Sequence, residues 1–410
     1  MNFTPSSKDY ILNLPQEKQT IHYCYMKNRF CWSCIVLYFL ASATVIYSQE
    51  TSKPVSSFFK PGKPWPDTDG VQINAHGGGI LFYNGKYFWY GEHKIAGRLG
   101  NSAQVGVSCY SSFDLFTWKN EGIALKVEEN NPEGEIQKGC VIERPKVIYN
   151  ARTQKFVMWF HLEIKGKGYA AARTVVAVAD KPTGPYIYYR SYRPNAGVWP
   201  MEYPEAWNQP VPGEDTLTWW TEKWRKAVAE GLFVRKHFTE GQMSRDMTIF
   251  VDDDGKAYHI HSSEENLSLH ISELTDDYLS FTGKWIQVFP GGHNEAPAIC
   301  KYNGKYYMIT SGCTGWEPNA ARSAVANSIW GPWEPLENPC IGEEAQTTFR
   351  SQSTFILKVE GIKDAYVFMA DRWTPKNPID GRYIWLPLLF ENNKPVLTWH
   401  NQWNFGILKK

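Results

Sequence analysis

GGGILFYNGKYFWYG, residues 77–91, is the stretch of sequence that decides the fold. Two aromatic-rich apolar segments flank Asn84-Gly85, a dipeptide that tolerates the positive φ angles of a tight hairpin turn. The same pattern recurs at 144–161, 246–263, 295–312 and 351–371. Shorter phrases between these hairpins, which we interpret as later strands of the same units, lie at 111–118, 183–189 and 330–336. Five such units predict an all-β fold, a five-bladed β-propeller with four-stranded blades.

The composition agrees with this fold. Aromatic residues make up 15% of the 410 residues, and broad aromatic side chains fill the wedge-shaped gaps between blades. Two stacked β-sandwich domains are the alternative, but the repeated units keep the same order of strand, polar turn and aromatic-rich strand along the chain. Lys and Arg number 43 against 42 Asp and Glu, so the balanced charge argues against a nucleic-acid partner or a polybasic membrane patch.

Residues 195–243 interrupt the repeat between the second and third blades. Within this insertion, 221–231 predicts a short helix with Thr221 as a cap and Gly231 as its stop. Trp220, Trp224 and Val228 are expected on one face of it. The insertion is either functional or a decoration of the outer edge, and the sequence favours neither.

The N-terminal region predicts export. The apolar run 31–47 follows Lys27 and Arg29, as in a signal peptide, and is short for a membrane span. We therefore expect residues 1–48 to be an extension and signal peptide, with Met26 as an alternative start. Residues 49–64 would be a linker and 65–408 a single propeller domain. The expected location is periplasmic or secreted, with no membrane span after cleavage and a monomeric state.

No cofactor is predicted. The cysteines after the predicted cleavage site, at positions 109, 140, 300, 313 and 340, match no zinc pattern and leave one or two disulfides open. Asp252-Asp253-Asp254-Gly255 has the composition of a calcium loop, but its place at a hairpin tip favours a solvated turn. A structural calcium ion stays an open alternative, and we predict no catalytic metal.

Polar residues recur where the first strand of each blade begins, at the mouth of the central channel. These positions hold His76, Glu143-Arg144, Arg245-Asp246, Glu295 and Ser351-Gln352. Three acids from three blades converging on one pocket are what glycoside hydrolysis needs. Glu295 precedes the apolar Ala-Pro-Ala-Ile, so its charged form should be disfavoured and it could act as a general acid.

With these motifs in view, the chain resembles glycoside hydrolase family 43, a family of five-bladed propellers, and within it the exo-β-1,3-galactanase branch. The phrases that carry the resemblance are WPDTDGVQINAHGGGIL (65–81), FWYGEHK (88–94), VIERPKVIYN (141–150), SRDMTIFVDDDG (244–255), NEAPAI (294–299), TGWEPN (314–319), SQSTF (351–355) and MADRW (369–373). They occur in family order over about 65–375.

The resemblance implies roles for individual residues. Glu295 matches the general acid, and Asp246 matches the residue that modulates its pKa. Glu143 and Arg144 match groups that hold the terminal sugar, and Gln352 matches a group that helps to activate water. The further sugar contacts implied are Glu92, Tyr169 and Trp316, and we add His76 from its place at a blade start. Most of the family has an Asp base in blade 1, where this chain has Ala75-His76-Gly77; Gln352 and Glu143 are the candidates instead.

The resemblance therefore implies an inverting, exo-acting glycosidase that releases a galactose-like sugar from a polysaccharide. The expected substrate is the β-1,3-galactan backbone of arabinogalactan. The alternatives are β-galactofuranosidase or α-L-arabinofuranosidase activity, and, from another class, a sugar-binding propeller without catalysis.

Overall fold

The hairpin at 77–91 forms the first two strands of a four-stranded antiparallel sheet. Asn84 and Gly85 join them with φ angles of 48° and 76°, the positive values that favour these two residue types. The computed structural model describes residues 57–409. In this part of the chain the same arrangement occurs five times.

Each sheet is one blade, and its strands follow chain order from the centre outward. Blade 1 contains β1 (His76–Tyr83), β2 (Lys86–Glu92), β3 (Gly106–Ser112) and β4 (Lys119–Lys126). Blade 2 contains β5 (Val141–Asn150), β6 (Lys155–Glu163), β7 (Arg173–Ala179) and β8 (Ile187–Tyr192). Blade 3 contains β9 (Met247–Val251), β10 (Ala257–Ser263), β11 (Ser268–Leu274) and β12 (Phe281–Val288). Blade 4 contains β13 (Glu295–Tyr302), β14 (Lys305–Ser311), β15 (Arg322–Ala326) and β16 (Glu334–Leu336).

Blade 5 has an additional strand. Its antiparallel strands are β18 (Gln352–Lys358), β19 (Tyr366–Arg372), β20 (Arg382–Glu391) and β21 (Lys394–Thr398), and the short β17 (Cys340–Ile341) pairs in parallel with β21. The first strands of the blades form a closed ring, because β1 contacts both β5 and β18, and β9 and β13 complete the circle. The predicted all-β, five-bladed propeller is confirmed.

Aromatic side chains fill the gaps between blades, as the composition suggests. Trp89 of blade 1 lies 4.7 Å from Trp385 of blade 5, measured between ring centroids, and 5.3 Å from Trp118. All three rings are buried. Phe59, from the segment before blade 1, packs on Trp385 and Trp403, so the two ends of the described chain meet at this seam.

A backbone irregularity recurs at the start of the inner strands. The register of β1, β5, β13 and β18 shifts just after the strand begins. In three of them the residue in the bulge has a positive φ: 62° at Gly77, 56° at Arg144 and 52° at Ala296. Bulges re-aim side chains, and those at Arg144 and Ala296 directly follow Glu143 and Glu295 at the channel mouth.

The insertion between blades 2 and 3 contains two short helices, α1 (Glu222–Ala229) and α2 (Leu232–Lys236). The Thr221 hydroxyl accepts a hydrogen bond from the Trp224 backbone N–H, and Gly231 follows α1 with a φ of 87°. Trp224 and Val228 are buried on one face. Trp220 precedes the helix and is half exposed, although its ring contacts that of Trp224 at 5.0 Å between centroids.

Other expectations need adjustment. The phrase at 111–118 spans the turn between β3 and β4, and those at 183–189 and 330–336 begin with turns that lead into β8 and β16. The five cysteines at 109, 140, 300, 313 and 340 are all free, so the open alternative of a disulfide among them is not realised. The predicted signal segment lies outside the described residues. Among residues 57–409, no helix is both long and apolar enough to cross a bilayer.

Candidate active site

A pocket with a volume of about 260 Å³ lies at the channel mouth where the inner strands begin. Eight of the nine residues predicted for the site line it: Glu92, Glu143, Arg144, Tyr169, Asp246, Glu295, Trp316 and Gln352. The lining is completed by Lys94, His161, Arg245, Asn266, Gly315 and Trp373.

His76 is the predicted residue that does not line the pocket. Its ring is buried and stacks on Tyr383 at 5.1 Å between ring centroids. Blade 1 instead provides Glu92, which is paired with His76 in the β1–β2 register. Burial lowers the pKa of His76 to about 3, so this imidazole is neutral.

Glu295, the first residue of β13, is held by uncharged groups. Its Oε1 accepts hydrogen bonds from the Asn266 side-chain amide at 2.7 Å and from the Cys313 thiol at 3.2 Å. Its Oε2 lies 3.5 Å from the Gln352 amide nitrogen. Burial raises the pKa of Glu295 to about 7, and the nearby Asp246 carboxylate adds to the rise. This carboxyl is therefore substantially protonated at neutral pH.

Arg144 connects three sides of the pocket. Its guanidinium forms a two-point ion pair with Asp246, at 3.1 Å from Nε and 2.9 Å from Nη2. Nη2 also donates to the Gln352 side-chain oxygen at 2.6 Å, and the backbone N–H donates to Glu92 at 3.1 Å. Burial alone would lower the pKa of Arg144, but the Asp246 carboxylate raises it further above its usual range. The positive φ in the bulge directs this buried guanidinium into the pocket.

Glu143 is held in its ionised form by a histidine on the neighbouring strand. His161 is its register partner on β6, and the imidazole lies 2.9 Å from the Glu143 carboxylate and 3.0 Å from that of Glu163. Burial alone would lower the pKa of His161, but these two carboxylates raise it to about 9. Burial likewise opposes the charge on Glu143, yet the His161 pair lowers its pKa to about 2.

Gln352 is fixed by contacts at both ends of its amide. The oxygen accepts from Arg144 and, at 3.0 Å, from the Trp373 indole N–H. The nitrogen donates to the Ser311 hydroxyl at 3.0 Å and points towards Glu295. These contacts assign the amide orientation and hold its nitrogen at the surface of the pocket.

Aromatic rings form two walls. Tyr169 donates its hydroxyl to Glu143 at 2.8 Å, and Arg245 donates to the Tyr169 carbonyl at 2.8 Å. Trp316 is half exposed and meets Trp373 edge to face, at 6.1 Å between ring centroids. Such exposed rings beside polar groups can pack against the C–H face of a sugar.

Three residues in the pocket could in principle hold a metal ion. Glu143, His161 and Asp246 present ligand atoms within 4.8 Å of one another. However, both ring nitrogens of His161 are hydrogen-bonded to carboxylates and its pKa is about 9, so the imidazole is protonated and cannot coordinate. Both oxygens of Asp246 are already bound by Arg144. The set is an ion-pair network and does not fit a metal.

Sequence reasoning missed His161, Asn266, Cys313 and Trp373. Trp373 lies inside the segment 369–373 and His161 ends the second hairpin, but neither residue was predicted to belong to the site. Asn266 and Cys313 lie in loops outside the inner strands.

The family model described as glycosyl hydrolases family 43 matches residues 220–384. A family 43 β-1,3-galactosidase solved with galactodeoxynojirimycin is 56% identical, with a TM-score of 0.82, over 85% of this chain and 100% of that one. The chain belongs to glycoside hydrolase family 43.

Two further relatives of this family 43 protein are informative. An exo-β-1,3-galactanase from Clostridium thermocellum is 38% identical with a TM-score of 0.68, over 85% of this chain and 66% of that one. A β-D-galactofuranosidase from Aspergillus niger is 26% identical over 155 residues, which are 37% of this chain and 44% of that protein. The match thus spans less than half the length of the fungal protein.

Proposed function

We propose that this family 43 hydrolase is an exo-acting, inverting enzyme that releases galactose from the end of a β-1,3-galactan chain. The observation that carries the proposal is Glu295. Its carboxyl, with a pKa near 7, faces a pocket whose other lining carboxylates contact cations. An acid that stays protonated beside an ionised partner is the arrangement that glycosidases use. The β-1,3-galactosidase and the exo-β-1,3-galactanase, both more than a third identical, support the choice of sugar.

In this proposal Glu295 protonates the leaving oxygen. Because Oε1 accepts two hydrogen bonds, Oε2 is the oxygen that carries the proton. Asp246 keeps that proton in place by disfavouring a second negative charge, and its own charge is balanced by Arg144. As the glycosidic bond breaks, the proton moves to the departing oxygen and Glu295 becomes a carboxylate.

Water attacks the anomeric carbon from the opposite face, assisted by Gln352 or Glu143. The proton that the water loses as its oxygen bonds to that carbon passes to the ionised Glu143 carboxylate or to the solvent. The Gln352 amide nitrogen donates to Ser311 at 3.0 Å and lies 3.5 Å from Glu295 Oε2, and the longer of these two contacts is the one that the water can replace. Glu143 is ionised, but with a pKa of about 2 it is a weak base, and both of its oxygens accept hydrogen bonds. Glu143 is therefore better suited to bind a sugar hydroxyl, with Glu92, Arg144, Tyr169 and Trp316 as further contacts.

The shape of the pocket supports exo action. Its volume of about 260 Å³ lies below the roughly 300–1,000 Å³ typical of sites for drug-sized ligands. A pocket of this size accommodates a terminal sugar.

The test is the substitution Glu295→Gln, which removes the acid while keeping the shape. Galactose release from β-1,3-galactan should fall by at least about a thousandfold, and the melting temperature should stay within a few degrees. The matched control is Glu334→Gln, the same change at an exposed residue of blade 4, which should be fully active. Proton NMR during turnover should show α-galactose first, as inversion requires. An active Glu295→Gln variant would remove the basis of the proposal.

A second candidate activity, β-galactofuranosidase, is favoured by the likeness to the Aspergillus niger enzyme. A panel of aryl β-galactopyranoside, β-galactofuranoside and α-L-arabinofuranoside, assayed together with β-1,3-galactan, separates these activities. Galactan binding without any product would indicate the sugar-binding propeller instead.

We also propose that the protein acts outside the cytoplasm, in the periplasm or the medium, as a monomer. The apolar run 31–47 after two basic residues supports export. Fractionation of the producing cells and N-terminal sequencing of the mature protein test this, with a new N-terminus near residue 49 as the expected result.

A further inference from the structure

Two adjacent tryptophans in the insertion form an exposed surface, which we call the aromatic platform: Trp219 and Trp220. Their exposed fractions are 47% and 50%. The Trp219 ring stacks on the buried Trp224 at 5.0 Å between centroids. The Trp220 ring stacks on His293 at 4.9 Å, with 20° between the ring planes. Single exposed hydrophobic residues are common on protein surfaces, but two neighbouring rings held in place by stacking indicate a ligand-binding surface.

The backbone at Trp220 is strained. Its φ is 71°, in the left-handed region that bulky L-residues rarely adopt. Such a conformation persists only where surrounding contacts over-determine it, and strained residues concentrate at ligand sites. With this backbone conformation the Trp220 ring lies on His293 and also contacts Trp224 of α1, at 5.0 Å between ring centroids.

The aromatic platform is anchored to the segment that carries Glu295. His293 lies two residues before Glu295, and its backbone N–H donates to the Leu267 carbonyl. Leu267 itself packs in the small core formed by α1 and α2. Its neighbour Asn266 holds Glu295. The platform and the acid therefore share one support, at the boundary of blades 3 and 4.

The position of the aromatic platform beside Glu295 determines which part of a substrate it would contact. A general acid lies beside the oxygen that it protonates, so the leaving group departs on the Glu295 side of the pocket. We propose that Trp219 and Trp220 bind saccharide units on the leaving-group side of the chain, by packing against the C–H faces of their rings. This inference rests on the proposed function, because it takes the bound chain to be β-1,3-galactan.

The test compares substrates of increasing length, from β-1,3-galactobiose to the hexasaccharide and long galactan. In the wild type, kcat/KM should rise with length. In Trp220→Gly it should become nearly flat, with a loss of about tenfold on long galactan and less than about twofold on the disaccharide. Glycine accepts a φ of 71°, so this variant should fold with an unchanged or higher melting temperature. Trp220→Phe keeps a ring and should retain most of the length dependence.

The matched control is Phe113→Ala, which removes an aromatic ring that is 75% exposed in blade 1. It should behave as wild type on every substrate. An equal loss on short and long substrates in Trp220→Gly, or no loss on either, would overturn the proposal.

Binding without turnover separates this proposal from the proposed function. With Glu295→Gln as the background, migration through gels containing β-1,3-galactan should be retarded, and adding Trp220→Gly should abolish most of the retardation. If the wild type cleaves galactobiose but the retardation does not depend on Trp220, the platform proposal fails and the activity stands. If no galactoside is cleaved at all, the activity itself fails. A dimer in light scattering that Trp220→Gly dissociates would assign the platform to self-association and overturn the proposal.

Discussion

The substitution Asp246→Asn tests how the pocket tunes its acid. The pKa of Glu295 rises from 4.5 to about 7, which corresponds to about 3 kcal/mol against its charged form. Burial is the largest cause and the Asp246 charge the second. Neutralising Asp246 also leaves Arg144 without its partner, so a cation then favours the Glu295 carboxylate. We expect the pKa of Glu295 to fall by about one unit.

The assay is kcat/KM against pH on β-1,3-galactobiose, because this parameter reports ionisation of the free enzyme. Activity needs protonated Glu295, so the wild type should lose activity as pH rises through about 7. In Asp246→Asn that alkaline limb should move down by about one pH unit. The matched control is Asp276→Asn, at an exposed Asp that lies in the same blade as Asp246 and pairs with Arg152 of blade 2, and it should leave the limb unchanged. A limb that stays at the wild-type pH in Asp246→Asn would refute tuning by this charge, even if activity fell.

Three further changes probe the frame of the pocket. His161 has a folded-state pKa of about 9 against 6.5, so its contribution to stability is complete below pH 6.5 and is lost as pH rises through 9. The free energy of unfolding, from urea titrations, should fall by about 3 kcal/mol over that range, and His161→Gln should abolish this fall. In Gly77→Ala the new Cβ would lie 2.2 Å from a Glu92 oxygen at a φ of 62°, so kcat/KM should drop at least about tenfold with a lowered melting temperature. Methyl methanethiosulfonate should inactivate the wild type by modifying the exposed Cys313. The reaction should be slow, because partial burial of the thiol and the adjacent Glu295 carboxylate raise its pKa to about 11. The variant Cys313→Ser should resist inactivation.

The ring of blades and the acids at its mouth follow from local sequence. A hairpin dipeptide between two aromatic segments fixes a strand pair, and repetition places the first residues of each pair around one channel. Glu143, Asp246 and Glu295 could therefore be located from the sequence. The same rule placed His76 at the mouth, and it fails there because the bulge at Gly77 leaves the imidazole packed on Tyr383.

The partners of these acids depend on contacts that local sequence does not encode. Asn266 reaches Glu295 because three successive residues, 264–266, adopt φ angles of 55°, 58° and 63°. Buried Glu264 bonds to Ser268 and His270 to hold this turn. The segment Ser-Glu-Glu-Asn-Leu contains no residue pattern that predicts a left-handed turn. Identifying His161 as the partner of Glu143 requires the register of β5 against β6, and the four-residue loop between these strands does not determine that register.

The different roles of the pocket carboxylates follow from the positions of the cationic side chains. Glu92 contacts Lys94 at 2.5 Å, Glu143 contacts His161, and Asp246 contacts Arg144. Glu295 is contacted by an amide, a thiol and a second amide, all of them neutral. Neutral donors can orient a carboxyl without supplying the charge that would ionise it. The single lining carboxylate without a cation is thus the one able to hold a proton at neutral pH, and a lysine introduced at Asn266 should convert it into a fourth ion pair and abolish acid catalysis.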